Sequence, residues 1–178
     1  PAKPTFSDSF PEDEGTGWTE RWKFDGGGGM SLDGALRQNS AKGKAKAYLK
    51  REPAENYLFE TYLRFPKGGR GDVGVVAWSN GEHDMVVSIN PSKGTWQYHI
   101  EPGNLVPKYY RLPKAFKLLE VPPGVDQPNT ALHRLRVTKN GGYFGVELDG
   151  INLLPEKPIT TKISGAGVPG FYCNNSPA

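Results

Sequence analysis

The sequence predicts an all-β fold, a sandwich of two antiparallel sheets, and three observations carry that prediction. Apolar and polar residues alternate with a period of two along most of the chain, while helical periodicity is nearly absent. Asn-Gly and Asp-Gly pairs punctuate the alternating runs at short spacing, as tight hairpins require. The 23 glycines and 16 prolines suit a fold with many turns, without the excess that marks low complexity. Eight Phe, eight Tyr and four Trp supply the apolar surface that a disordered chain lacks. The 178 residues fit a single domain, 1–178, with a substantial core.

Each element follows in chain order. After Trp22-Lys23-Phe24, Asp25 and the run of four glycines, residues 26–29, read as a flexible loop. Residues 57–65 place Tyr57, Phe59, Thr61, Leu63 and Phe65 on one face and Leu58, Glu60, Tyr62 and Arg64 on the other. Residues 72–79 and 85–90 form two strands joined by a turn at Asn80-Gly81. Residues 95–101 alternate cleanly, Trp96, Tyr98 and Ile100 against Gln97, His99 and Glu101. Residues 102–128 break the rhythm, being rich in Pro and Lys and carrying Tyr109, Tyr110 and Phe116. A loop of that length is often functional, and it is expected over one rim of a sheet with Tyr109, Tyr110 or Arg111 beside the ligand. Residues 133–138 lead into Asn140-Gly141-Gly142, residues 143–148 return, and Asp149-Gly150 turns into residues 151–154.

Charge and cysteine content narrow the function. The net charge is only +3, 22 basic against 19 acidic residues, short of the continuous excess of a nucleic-acid binder. Basic residues do cluster, at Lys42, Lys44, Lys46, Lys50 and Arg51 and again at Lys108, Arg111, Lys114 and Lys117. These read as solvated strand edges and loops, the functional alternative being attraction for an acidic polymer such as a uronate glycan. Cys173 is the only cysteine, so no intrachain disulfide forms, and its apolar surroundings suit a small buried hydrophobe. No apolar run reaches 18 residues, so no membrane-spanning helix is expected.

Several motifs, taken in order, resemble those of concanavalin A-like, laminin G-like jelly-roll domains over nearly the whole chain. They are Phe6-Ser-Asp-Ser-Phe10 ahead of Gly17-Trp18, Leu32-Asp-Gly-Ala-Leu36, residues 57–65, His133-Arg-Leu-Arg-Val137, Phe144-Gly-Val-Glu-Leu-Asp-Gly150, and residues 165–174. The resemblance implies a jelly roll with one concave sheet, a secreted or cell-surface location, and a polysaccharide or glycan lying across the concave face. It also implies a closing strand after residue 174. None is evident, so the first strand, residues 5–10, is expected to lack a neighbour or to find it in another segment or chain. Some such domains hold structural calcium near the chain ends, where Asp8, Asp13 and Asp149 would supply oxygens; surface and turn carboxylates are the plainer reading. No other cofactor is expected.

Candidate ligand contacts are the side chains that alternation turns away from the core: Glu60, Tyr62, Arg64, Trp78, Ser88, Gln97, His99 and Glu101, with Tyr109 and Tyr110 from the long loop. Aromatic rings beside amides and carboxylates suit sugars, the ring stacking on a pyranose face while polar groups bond its hydroxyls. Alternation does not tell which strands share the concave sheet. Gln97-Tyr98-His99 is similar to the Gln-x-His step of jelly-roll alginate lyases, and Arg64, Gln97, His99, Tyr172 and Asn174 occur in the same order. That resemblance implies β-elimination: Arg64 and Gln97 neutralise a uronate carboxylate, His99 takes a proton, and Tyr172 protonates the leaving oxygen. Phe171-Tyr172-Cys173 departs from the lyase pattern. The paired carboxylates of a glycosidase and the spacing of a zinc site are missing. The leading expectation is therefore a non-catalytic, lectin-like carbohydrate-binding domain. A uronate lyase and a structural or protein-interaction domain are the alternatives.

Overall fold

The computed structural model describes residues 6, 8, 18–26, 30–32, 36–38, 43–64, 71–103, 108–113, 132–158 and 165–174. Among the described residues, a short helix, α1 (Trp18–Arg21), precedes thirteen strands. These are β1 (Trp22–Gly26), β2 (Met30–Leu32), β3 (Leu36–Gln38), β4 (Lys44–Leu49), β5 (Asn56–Leu63), β6 (Asp72–Ser79) and β7 (Asp84–Asn90). Then come β8 (Thr95–Glu101), β9 (Lys108–Arg111), β10 (His133–Asn140), β11 (Tyr143–Leu148), β12 (Ile151–Pro158) and β13 (Val168–Asn174). No helix among the described residues is long and apolar enough to cross a membrane.

Two antiparallel sheets form the sandwich. The larger runs β1-β4-β13-β6-β7-β8-β9 and the smaller β12-β11-β10-β5, with β2 and β3 as a separate hairpin. The hairpins expected at Asn80-Gly81 and Asp149-Gly150 are both present. Asn80 Oδ1 accepts hydrogen bonds from the backbone N–H groups of Glu82 and His83 at 3.0 and 2.8 Å. Asp149 and Gly150 both take positive φ, 50° and 82°, which a two-residue turn between right-twisted strands demands. The stretch expected as one long loop contains β9, which pairs with β8 and forms the sheet edge. β13 lies inside the larger sheet, between β4 and β6. The first strand expected over residues 5–10 lies outside the described residues except for Phe6 and Asp8. Phe6 packs edge-on against Trp22, and Asp8 accepts from Arg21 and Trp22.

The core is the layer between the sheets. Val73, Val75, Met85, Val87, Ile89, Trp96 and Ile100 of the larger sheet meet Leu63, Leu135, Val137, Phe144, Val146, Leu148 and Leu154 of the smaller. At the β1 end Trp22, Phe171 and Phe59 continue it, with ring centroids 4.9 and 5.7 Å apart in sequence of contact. Lys139 is buried on the same side of β10. Its ammonium donates to the carbonyls of Glu55 and Gly141 at 2.6 and 2.8 Å, and burial lowers its pKa. Cys173 is likewise buried, which pushes its thiol up to about 12.

Trp78 corrects a sequence expectation. Strict alternation from Asp72 puts it on the polar face, yet it is 0% exposed and belongs to the core. The β6–β7 register shifts between Val76 and Trp78, so Trp78 pairs with Met85 and takes the core side. Its indole N–H donates to the Gly165 carbonyl at 3.2 Å. Gly167 makes room for the ring, since a Cβ there would stand 2.3 Å from two indole atoms. Trp78→Ala is therefore expected to destabilise the fold by about 3–5 kcal/mol in urea titration, the cost of emptying a large core site; a groove-wall tryptophan would cost well under 1 kcal/mol.

Candidate functional site

The face of the larger sheet turned away from the core forms an open groove of about 930 Å³. Strand pairing fixes what lies across it. One row runs Lys46, Tyr172, Gly74, Ser88, Gln97, Tyr109 through β4, β13, β6, β7, β8 and β9. The next row contains Tyr48, Gly170, Val76, Val86 and His99. On β4 the polar residues Lys44, Lys46 and Tyr48 face the groove while Ala45 and Ala47 are buried behind them.

Beneath the groove lies a small apolar cluster of Val76, Val86 and Tyr172, with Tyr48 packed against it. Above it, side chains from β4 reach across β13 and β6 to β7 and β8. The Lys46 ammonium donates to Asp84 Oδ2 at 2.6 Å and to Glu101 Oε2 at 2.7 Å. Lys44 donates to Glu101 Oε1 at 2.5 Å, and the Tyr48 hydroxyl donates to Asp84 Oδ2 at 2.7 Å. His99 Nε2 lies 2.8 Å from Glu101 Oε1, so against an ionised carboxylate that nitrogen carries the proton. Further along, Gln97 donates to Asp72 and Ser88 at 3.3 and 3.1 Å, and Asn90 donates to Asp72 at 3.0 Å. Gln97 Oε1 and His99 Nδ1 have no donor among the described residues.

These contacts set the titration behaviour. The hydrogen bond from His99 holds Glu101 well below the usual carboxylate range; burial opposes it, and Lys44 and Lys46 reinforce it. Burial pulls Lys46 down, but its bonds to Asp84 and Glu101 outweigh that and raise it. Tyr48 is raised by burial and by its bond to Asp84, and Tyr172 by burial foremost.

The sequence candidates separate into three places. Gln97, His99, Glu101, Tyr109 and Tyr172 line the groove, and the His99 and Tyr172 rings meet edge-on at 6.1 Å. Ser88 is on the same face but wholly buried, beneath Gln97. Glu60 and Tyr62 belong to β5 of the smaller sheet, on its outer face; Glu60 pairs with Arg136 and Tyr62 is 58% exposed. Arg64 directly follows β5 and does not line the groove. These three share one period and so fall on one face by alternation, whereas pairing puts β5 in the other sheet. Tyr110 also leaves the groove: it stacks on Trp96 and Tyr98 on the core side, at 4.7 and 6.0 Å.

The lyase constellation is thus divided. Gln97, His99 and Tyr172 share the groove, Arg64 does not, His99 is tied to Glu101, and the Tyr172 ring is 1% exposed within its apolar cluster.

Of the calcium candidates, Asp8 accepts from Arg21 and Trp22, Asp149 from His133 and the Arg134 backbone, and Asp13 lies outside the described residues. No group of three or more His, Cys, Asp and Glu among the described residues is placed to hold a metal ion. The residues that sequence reasoning missed are Lys44, Lys46, Tyr48, Asp72 and Asp84. Their signal was present in Lys44-Ala-Lys-Ala-Tyr48, where small residues alternate with polar ones; both lysines are paired in the groove, Lys46 largely buried and Lys44 still exposed to solvent.

No family model matches the chain, and no curated protein sequence matches it. Solved structures do. The carbohydrate-binding module CBM66 from Bacillus subtilis superposes with a TM-score of 0.64 at 12% identity, covering 87% of this chain and 88% of the module. A Bacillus subtilis protein of unknown function with a galectin-like fold gives 0.58 at 14% identity, covering 88% and 84%. The potassium-bound carbohydrate recognition domain of Emp46p gives 0.54 at 13% identity, covering 94% and 90%. At such identities the likeness is one of fold, and the fold is a concanavalin A-like jelly roll.

Glu101 gives a signed test of the groove network. A depressed folded-state pKa contributes stability that is fully present above the ordinary carboxylate value, about 4.3, and is lost as pH falls through that value toward the depressed one. The stability advantage of the native chain over Glu101→Gln should therefore be constant from pH 7 to about pH 5 and shrink below it, read by urea denaturation. An advantage unchanged at pH 3 would contradict the assigned network.

Proposed function

We propose that the chain binds carbohydrate along the groove of the larger sheet and performs no chemistry on it. The observation that carries this reading is the pairing of an exposed aromatic with a pre-set polar floor. Tyr109 is 59% exposed at the β9 edge and is directly paired with Gln97. A ring there stacks on the apolar face of a pyranose, while Gln97, Asp84 and Glu101 meet its hydroxyls. The groove volume of about 930 Å³ suits a few sugar units. Two fold neighbours, a carbohydrate-binding module and a carbohydrate recognition domain, support the same reading.

Restricted side-chain freedom favours binding. The floor groups are already held by one another, so little ordering cost falls on association. The division of Arg64 from Gln97, His99 and Tyr172 weighs against β-elimination, which needs a cation on the uronate carboxylate beside the base.

A glycan array followed by isothermal titration tests the reading. Tyr109→Ala is expected to weaken binding roughly tenfold, and Gln97→Ala by a similar factor. Tyr62→Ala, on the outer face of the other sheet, should leave affinity unchanged. A blank array, or an affinity that follows Tyr62 and ignores Tyr109, would overturn it. Release of a product absorbing in the ultraviolet from alginate or glucuronan, lost in His99→Ala, would install the lyase instead.

A further inference from the structure

Among the described residues the groove is lined by five basic and five acidic side chains, so these charges balance in number. Two of the cations are also paired in place. Lys46 is held by two carboxylates and Lys44 by one of the same pair. At the rim, Lys50 donates to the Thr19 carbonyl at 2.7 Å, and the Arg51 guanidinium lies 4.9 Å over the Phe6 ring. Lys44 and Lys46 are thus matched by carboxylates, while Lys50 and Arg51 keep their charge at the exposed rim.

We infer that the groove is built for an uncharged, hydroxyl-rich glycan and turns away polymers that carry carboxylates, a specificity that rests on the carbohydrate-binding reading above. A uronate brings a negative charge into a groove whose floor already holds Asp72, Asp84 and Glu101. To gain a cation at the floor of the groove it must draw Lys46 from Asp84 and Glu101, whose side chains are largely buried and would each lose a partner. Its own charge would stand beside theirs in a medium less polar than water. A neutral sugar meets neither obstacle. Its hydroxyls donate to carboxylate oxygens and accept from the lysine protons that remain, since each ammonium carries three. The charged pairs stay intact, and Tyr109 takes the apolar face of the ring. Of the basic residues in this stretch, Lys44 and Lys46 are paired with carboxylates, while Lys50 and Arg51 stay exposed at the rim.

Affinity electrophoresis of the whole chain at 150 mM salt tests this, using gels cast with neutral polymers (mixed-linkage β-glucan, xylan, galactan, fructan) or with alginate and polygalacturonate. At least one neutral polymer should retard the native chain, and neither polyuronate should. Glu101→Gln frees Lys44, takes one of its two carboxylates from Lys46 and removes a negative charge, so it should gain polyuronate affinity at least tenfold, in a salt-sensitive manner. Asp84→Asn, which frees Lys46 from its other partner, carries the same expectation. Retardation of the native chain by a polyuronate as strong as by any neutral polymer would overturn the inference and leave carbohydrate binding standing. So would polyuronate affinity unchanged in both folded variants. Retardation by neither class removes the carbohydrate-binding reading and the inference with it.

Discussion

The pairing of Lys46 with Asp84 and Glu101 is the interaction on which the groove depends. It joins strands that are not neighbours, spanning β13 and β6, and so ties one wall of the concave sheet to the other. Charges this far from water are tolerated only when matched; the cost of stripping one partner from a buried pair is about 3–5 kcal/mol. Lys44, Tyr48 and His99 complete the match, each bonding to a carboxylate that Lys46 also holds. Beneath this layer Val76, Val86 and Tyr172 are closed off on what would otherwise be a solvated face. The consequence is visible in β7, where every residue is buried, as a strand covered on both faces must be.

The same layer gives the site its character. Side chains that hold one another present fixed donors and acceptors to whatever settles above them, which favours hydroxyl recognition over capture of a free charge. His99 donates its Nε2–H to Glu101, which fixes the tautomer and leaves Nδ1 without a donor among the described residues, and Tyr172, its edge-on neighbour, is raised by burial. A jelly-roll sheet is a scaffold on which quite different chemistries are placed, so these local commitments and not the fold distinguish binding from catalysis.

The fold was legible because its signals are local. Period-two runs and Asn-Gly or Asp-Gly turns report strands and hairpins within a few residues, and Gln97, His99 and Glu101 could be put on one face for that reason. What required the structure was nonlocal. Glu60, Tyr62 and Arg64 have the right alternation but the wrong sheet, since strand order is set by pairings such as β5 with β10. One inserted residue in β6 reversed Trp78. Lys46 and Lys44 bond to partners 38 and 57 positions away, a separation at which sequence spacing carries no information.

The central claim is that ligand lies on the concave face of the seven-stranded sheet. Backbone amide shifts recorded during titration with a glycan selected from the array test it most directly. The account predicts that perturbations concentrate at Tyr48, Asp84, Gln97, His99, Glu101, Tyr109 and Tyr172, with Glu60, Tyr62, Arg134 and Arg136 unmoved. Perturbations concentrated on those latter residues, on the outer face of the four-stranded sheet, would contradict it.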